Sequence, residues 1–147
     1  MKNLKDDEAA IRTLMAKFAA DFNSGDIEAI MTNYVSDESL IIFDLVPRKD
    51  YRGAGTYREN WVEMFSHFKG KPKISIAGLG IYVDGNVGFG YSFQQITGTD
   101  KHGIPINRAV RVTDGYRKVG GNWRIALEHV SVPVDLKSGK ADFSPKL

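Results

Sequence analysis

The order of patterns along this chain predicts an α+β fold, a strongly curved antiparallel sheet wrapped around three N-terminal helices. Three observations carry the prediction. Apolar residues recur at helical spacing only in the first half, to about Phe68. After Gly70 the texture becomes β-rich runs separated by hairpin turns. Helices first and a meander afterwards gathers the helices on one side of a sheet. The third observation is a pair of glycines, Gly80 and Gly90. If the turn at Asp84–Asn86 centres on Gly85, they face each other and mark a line where the sheet folds. A bent sheet closed by helices is a cone, and a cone has a cavity.

The first helix is expected over about residues 6–23, with Ile11, Leu14, Met15, Phe18 and Phe22 as its apolar stripe. Asp6, Asp7 and Glu8 stand at its start, where the helix dipole favours anions. "NSG" breaks it, and Asp26 caps a short second helix ending near Tyr34. "SLIIFDLV" reads as a buried strand that carries one acid, Asp44, and is ended by Pro47. A third helix from about Gly53 to Phe68 carries the stripe Tyr57, Trp61, Met64, Phe65 and Phe68. Four strands follow, near 73–83, 87–98, 104–118 and 123–134, joined by "DGN", "TDKHG" and "GGN". Residues 1–135 are expected to form one domain, and 136–147 a polar tail, loose or draped on the surface.

Composition narrows the function classes. The 147 residues are 42% hydrophobic and 26% charged, ordinary globular values. Cysteine is absent, which excludes disulfides, thiolate metal sites and cysteine nucleophiles. No signal-type apolar run opens the chain and no stretch of ~20 apolar residues occurs, so a cytoplasmic protein without a membrane span is expected. The net charge of +2 is scattered, the "PRKDYR" cluster and the tail lysines read as solvated loops, and no nucleic-acid partner is expected. No dinucleotide or phosphate loop is present: "GLGIYVDG" lacks the spacing and opens no helix. Glu128 and His129 are neighbours on a strand and point to opposite faces, and His67 and His102 have no partner at ligand spacing. Neither a metal nor another cofactor is expected.

The last hairpin supplies the candidate chemistry. With Gly120–Gly121 as a two-residue loop, Val119 faces Asn122, Tyr116 faces Ile125, Asp114 faces Leu127 and Val112 faces His129. That register puts Asp114 and His129 on one face as diagonal neighbours, unless a bulge moves one strand's set to the other side. Asp44, inside an apolar run, is the third titratable candidate; burial there raises a carboxyl pKa and suits acid–base work near neutrality. Each has a plainer reading: Asp44 solvated at a strand end, Asp114 paired with Arg108, Arg111 or Arg117, and His129 satisfied by Asp114. Ser131 has no nucleophile context.

The segments "KFAADFNSGDIEAIMTNYVSDES", "IIFD", "YRGAGTYRENW" and "RVTDGYRKVGGNWRIALEHVSVP" together resemble SnoaL-like, ketosteroid-isomerase-like proteins of the nuclear-transport-factor-2-like superfamily, over about residues 6–135. The resemblance implies the cone fold and a homodimer. It places Asp44 nearest the family's general base and Asp114 at its protonated, hydrogen-bond-donating acid. It places Phe18 where the family has its oxyanion tyrosine, and Leu127, His129 and Ser131 at pocket-lining positions of the last strand. Phenylalanine carries no hydroxyl, and losing one oxyanion donor costs ~10²–10³ in rate. The expected enzyme is therefore an isomerase, cyclase or dehydratase acting on a small apolar or carbonyl-containing ligand. Asp44 is its base and Asp114 and His129 its proton donors or orienters; Phe18, Tyr34, Tyr57, Trp61, Leu127 and Ser131 line the cavity. The C-terminal stretch also resembles the association domain of calcium/calmodulin-dependent protein kinases, which implies a non-catalytic binding or oligomerisation module. Either way a homodimer is expected through the exposed sheet face, with Arg111, Thr113, Arg117 and Val130 in the interface.

Overall fold

The computed structural model describes residues 4–46 and 52–144. Helix α1 spans Leu4–Ser24 and buries the expected stripe from Ile11 to Phe22. Asp26 caps α2, Ile27–Met31, its carboxylate accepting from the Ala29 N–H. This helix stops short of Tyr34 because the sheet takes the next backbone groups. Ile125 N–H donates to the Asn33 carbonyl and Val35 N–H to the Ile125 carbonyl, both at 2.9 Å. Strand β1 is only Ile41–Phe43, so Asp44 lies just beyond it. Pro47 and most of the "PRKDYR" cluster lie outside the described residues. Helix α3, Ala54–Ser66, turns Tyr57 and Trp61 inward. Gly53 caps it at φ 89°, a conformation that side-chain-bearing residues rarely adopt.

Four long strands follow: β2 Lys73–Asp84, β3 Val87–Thr99, β4 Pro105–Val119 and β5 Asn122–Ser131. They form an antiparallel meander, and β1 adds a parallel edge on β5, giving the order β1-β5-β4-β3-β2 among the described residues. Helix α1 packs across β2 and β5. The enclosed core is largely aromatic. Phe18, Phe22, Tyr34, Tyr57, Trp61 and Phe65 meet in tilted or edge-to-face pairs, with centroids 5.1–6.5 Å apart.

Two irregularities shape the sheet. In the β2–β3 hairpin Asp84 pairs with Val87, so the loop is Gly85–Asn86 and does not centre on Gly85. Gly90 consequently opposes Ile81 and Gly80 opposes Tyr91, and the expected glycine-on-glycine pair does not form. Both glycines still serve close approach: Tyr91's ring covers Gly80, and a Cβ on Gly90 would lie 3.0 Å from the Tyr116 hydroxyl. The register shifts between Ala77 and Gly80, where Gly78 takes φ 63°.

The second irregularity decides the site. Tyr116 pairs with Ile125 as the sequence predicts, but Gly115 pairs with Leu127, leaving Ala126 as an extra residue. This is a β-bulge, and it exchanges the faces of everything beyond it on β5. Gly115 makes room for it, since a Cβ there would lie 3.1 Å from Leu127 Cβ.

The polar tail is draped over the fold. Val134 bridges to Ala141, and the Ala109 N–H donates to the Phe143 carbonyl at 2.8 Å. Among the described residues no helix is long and apolar enough to cross a membrane.

Candidate active site

Before the bulge, β5 turns Trp123 and Ile125 inward; after it, Glu128 and Val130 point inward while His129 is exposed. Glu128 is 5% exposed although it is an acid on a core-facing strand. Burial of this kind demands partners. Two tyrosine hydroxyls supply them: Tyr57 donates to Oε1 at 2.7 Å and Tyr34 donates to Oε2 at 2.9 Å. Helix α3 delivers Tyr57, and the segment pinned to Ile125 delivers Tyr34. The tyrosine rings meet edge to face at 5.1 Å, which fixes the two hydroxyls side by side.

Across the ladder Asp114 pairs with Glu128 and is 1% exposed. Two buried carboxyl groups this close cannot both ionise. Burial, then the charge of Glu128, pushes Asp114 well above the usual carboxylate range. Burial also raises Glu128, to about 7, while the hydroxyls of Tyr57 and Tyr34 and the contact with Asp114 hold it down. Asp114 is thus the member that keeps its proton and donates it toward Glu128. Its Oδ2 also receives the Tyr116 hydroxyl at 3.4 Å. Burial and the charge of Glu128 drive both Tyr34 and Tyr57 well above 10, so they remain donors.

Glu128 and Tyr57 open onto a cavity of about 450 Å³ between α3 and the sheet. Phe18, Trp61, Ile74, Ile96 and Val110 make much of its wall apolar. Asp44 lines it from the β1 side, half-buried, accepting from the Leu45 N–H at 2.7 Å and from Asn60 Nδ2 at 3.2 Å. Its charge acts on Glu128 and Tyr57. Phe143 of the tail reaches the rim, with the Arg108 guanidinium 4.7 Å above its ring.

The structure therefore gathers part of the expected set. Asp44, Phe18, Tyr57 and Trp61 face the cavity. Asp114 and Tyr34 are buried directly behind Glu128. His129, Leu127 and Ser131 require correction, because the bulge at Ala126 puts all three on the outer face. His129 opposes Thr113 and packs on the Phe43 ring at 5.5 Å, Leu127 opposes Gly115, and Ser131 opposes Arg111. The same inversion removes Val130 from the expected interface, since it lines the cavity. Glu128 is the residue that sequence reasoning missed. The signal was present: Trp123 and Ile125 continue as Glu128 and Val130 once a single residue is skipped opposite Gly115. No group of three or more His, Asp or Glu suited to a metal occurs among the described residues.

Comparison with known proteins follows the same outline. The SnoaL-like domain family matches residues 11–135. An NTF2-like protein of unknown function from Pseudomonas putida is 25% identical, covers 97% of this chain and 98% of its own, and superposes with a TM-score of 0.84. A ketosteroid isomerase-like protein from Erwinia carotovora is 22% identical over 84% of this chain and 93% of its own, with a TM-score of 0.70. A putative calcium/calmodulin-dependent protein kinase II association domain from Xanthomonas campestris is 23% identical over 82% and 84%, with a TM-score of 0.69. No curated protein matches the chain.

Proposed function

The chain belongs to the SnoaL-like domain family, and we propose that it is an acid–base enzyme for small, largely apolar carbonyl compounds, of the isomerase, cyclase or dehydratase type. The observation that carries this reading is Glu128: a buried acid at the cavity wall, held by two tyrosines and a protonated aspartic acid, with its pKa raised to about 7. A group that titrates near the working pH both takes and returns protons.

In the proposed step the Asp44 carboxylate removes a proton from the carbon beside the carbonyl. Protonated Glu128 delivers its proton to the developing oxyanion, to a leaving hydroxyl or to a distal carbon. Asp114 and Tyr34 are positioning residues, since neither lines the cavity. After turnover Glu128 is restored by the proton that Asp44 took up, either directly through the product or through water.

The competing reading, a non-catalytic assembly module, fits a cone filled by its own side chains. A cavity of about 450 Å³ with Asp44, Glu63 and Glu128 on its wall favours a ligand. Homodimerisation through the outer sheet face is part of the proposal. It is supported there by the stacked Tyr82–Phe89 pair, centroids 5.0 Å apart, with both rings more than half exposed.

The test is exchange of the α-protons of 1-tetralone and related cyclic ketones in D₂O, followed by NMR. The protein should accelerate exchange, and Glu128→Gln and Asp44→Asn should each lower the rate by ~10²–10⁴. Full activity in Glu128→Gln, or no acceleration of any ketone in the panel, would sink the proposal.

A further inference from the structure

The C-terminal tail forms part of the cavity. The last residues of a domain are ordinarily loose unless something ties them down. Here a closed turn ties them. The Asp135 N–H donates to the Lys140 carbonyl at 2.9 Å, the Gly139 N–H to the Asp135 carbonyl at 2.8 Å, and the Asp142 N–H to the Pro133 carbonyl at 2.8 Å. The Asp135 carboxylate accepts from the N–H groups of Lys137 and Ser138 at 2.8 and 2.9 Å. The chain thereby returns to β4 beyond the end of β5. Ser131, the last residue of β5, opposes Arg111, and the Phe143 carbonyl takes the Ala109 N–H two residues further out.

What this turn delivers is one aromatic ring. Phe143 lines the cavity beside Arg108, whose guanidinium lies 4.7 Å from the ring centroid. The ring is half-buried, so it keeps surface that a ligand can touch. Leu136, the other large apolar side chain in the described part of the tail, is left 96% exposed. A general tendency to bury apolar residues therefore does not account for where Phe143 sits. The cavity is also long. On β4, Arg108 is six residues from Asp114, the partner of Glu128, which is roughly 20 Å of strand. On α3, Tyr57 and Met64 both line it and stand two turns apart, about 10 Å. Glu128 and Tyr57 mark one end; Phe143 marks the other, beside the exposed His67 and Arg108.

We infer that Phe143 binds the outer, apolar part of the ligand, so that the substrate class is a carbonyl compound carrying an extended apolar group. This assignment rests on the reading that the carbonyl end sits beside Asp44 and Glu128. A ligand confined to that end leaves the outer walls in water. An apolar extension reaches Met64, Ile106 and Phe143 and gains their contact area. His67 and Arg108 offer such a group little, and the ring supplies the apolar surface that their side chains lack. Arg108 holds the ring by its face, which fixes the wall against which the extension packs.

The test is binding of neutral aryl ketones of two lengths. Dissociation constants of acetophenone and 4′-butylacetophenone are measured by equilibrium dialysis. The longer ketone should bind at least ~10-fold more tightly, since each buried methylene adds ~4-fold. Phe143→Ala should weaken the longer ketone by ~5–10-fold and acetophenone by less than ~2-fold. Phe143→Leu should restore most of the difference, and Leu136→Ala should leave it unchanged. On the wild type, intermolecular NOEs should join the terminal methyl of the butyl group to the Phe143 ring. Equal affinities for the two ketones, a Phe143→Ala variant that weakens both alike or neither, or NOEs from that methyl to the Tyr57 ring with none to Phe143 would each overturn the assignment. The NOEs are read on the wild type, so a variant that fails to fold does not rescue the idea. Exchange of the α-protons separates this assignment from the acid–base reading. Glu128→Gln should lose exchange and keep the preference for the longer ketone. Ketones that bind as described without exchanging support the role of Phe143 and remove the acid–base reading. Ketones that exchange while Phe143→Ala weakens both alike remove the role of Phe143 alone.

Discussion

Two of the buried polar clusters among the described residues solve the same problem in opposite ways. Where α1 meets the β4–β5 hairpin, Asp7 sits under the Lys118 ammonium at 2.6 Å and accepts from the Trp123 indole at 3.0 Å; Lys118 also lies over the Trp123 ring. Charge meets charge there. On the cavity wall, Glu128 has Asp114 and two tyrosines around it, so acid meets acid and the pair must hold a proton instead of a cation. A carboxylate with a cation is suited to fastening; a carboxylate with a second carboxyl group is suited to proton transfer. Counting buried acids does not separate the two cases. The identity of their neighbours does.

The contrast can be broken experimentally, and the largest effect should come from the fastening cluster. Lys118→Met takes the ammonium away from the buried Asp7 side chain, and should cost ~3–5 kcal/mol in urea denaturation at pH 7. An unchanged midpoint would show that the clamp is ornamental.

The proton-holding cluster should behave in reverse. Glu128 holds its proton in the folded state up to about pH 7, but in the unfolded chain only up to about 4.5. The folded state therefore binds more protons between these values, and stability should fall as pH rises through that window. The loss is on the order of 2–3 kcal/mol. Glu128→Gln removes this dependence and should be the more stable protein at pH 8. If denaturation profiles of the two proteins run parallel across pH 4.5–7, Glu128 does not titrate as its surroundings require.

A smaller effect should follow from Tyr57→Phe. Losing the 2.7 Å donor to Oε1 removes a contact that favours the charged form, so the Glu128 pKa should rise. The pH profile of ketone exchange should shift upward with it, and the rate near neutrality should drop by ~10-fold. A downward shift would mean that the tyrosine donates elsewhere. The smallest effect belongs to His129→Ala. With the imidazole on the outer face, stability should change by no more than ~0.5 kcal/mol and exchange should be unaffected. A large loss of exchange would argue that β5 pairs without its bulge.

Much of the molecule was legible in advance because local rules agreed with each other. The stripe from Ile11 to Phe22, the Asp26 cap and the hairpin residues each specify their element within a few residues of chain. Asp44 and Asp114 drew notice as acids in apolar or strand contexts, and both stand at the site. What failed were inferences that ran across a ladder. One residue at the Gly85–Asn86 loop undid the glycine pair, and one at Ala126 exchanged His129 for Glu128. Side chains alternate with a period of two along a strand, so a single extra residue leaves the chemistry of a sequence intact and reverses where it points.

The sequence by itself determined the class of fold, the SnoaL-like identity, the aromatic lining and a supply of acids without cysteine. Tertiary structure alone decided which acid faces the cavity and which carboxyl groups become neighbours. Those outcomes depend on how Gly115 admits a bulge and how Tyr34 and Tyr57, 94 and 71 residues from Glu128 in the chain, arrive at the same carboxylate. Pairings at that range are set by packing, which no local pattern records.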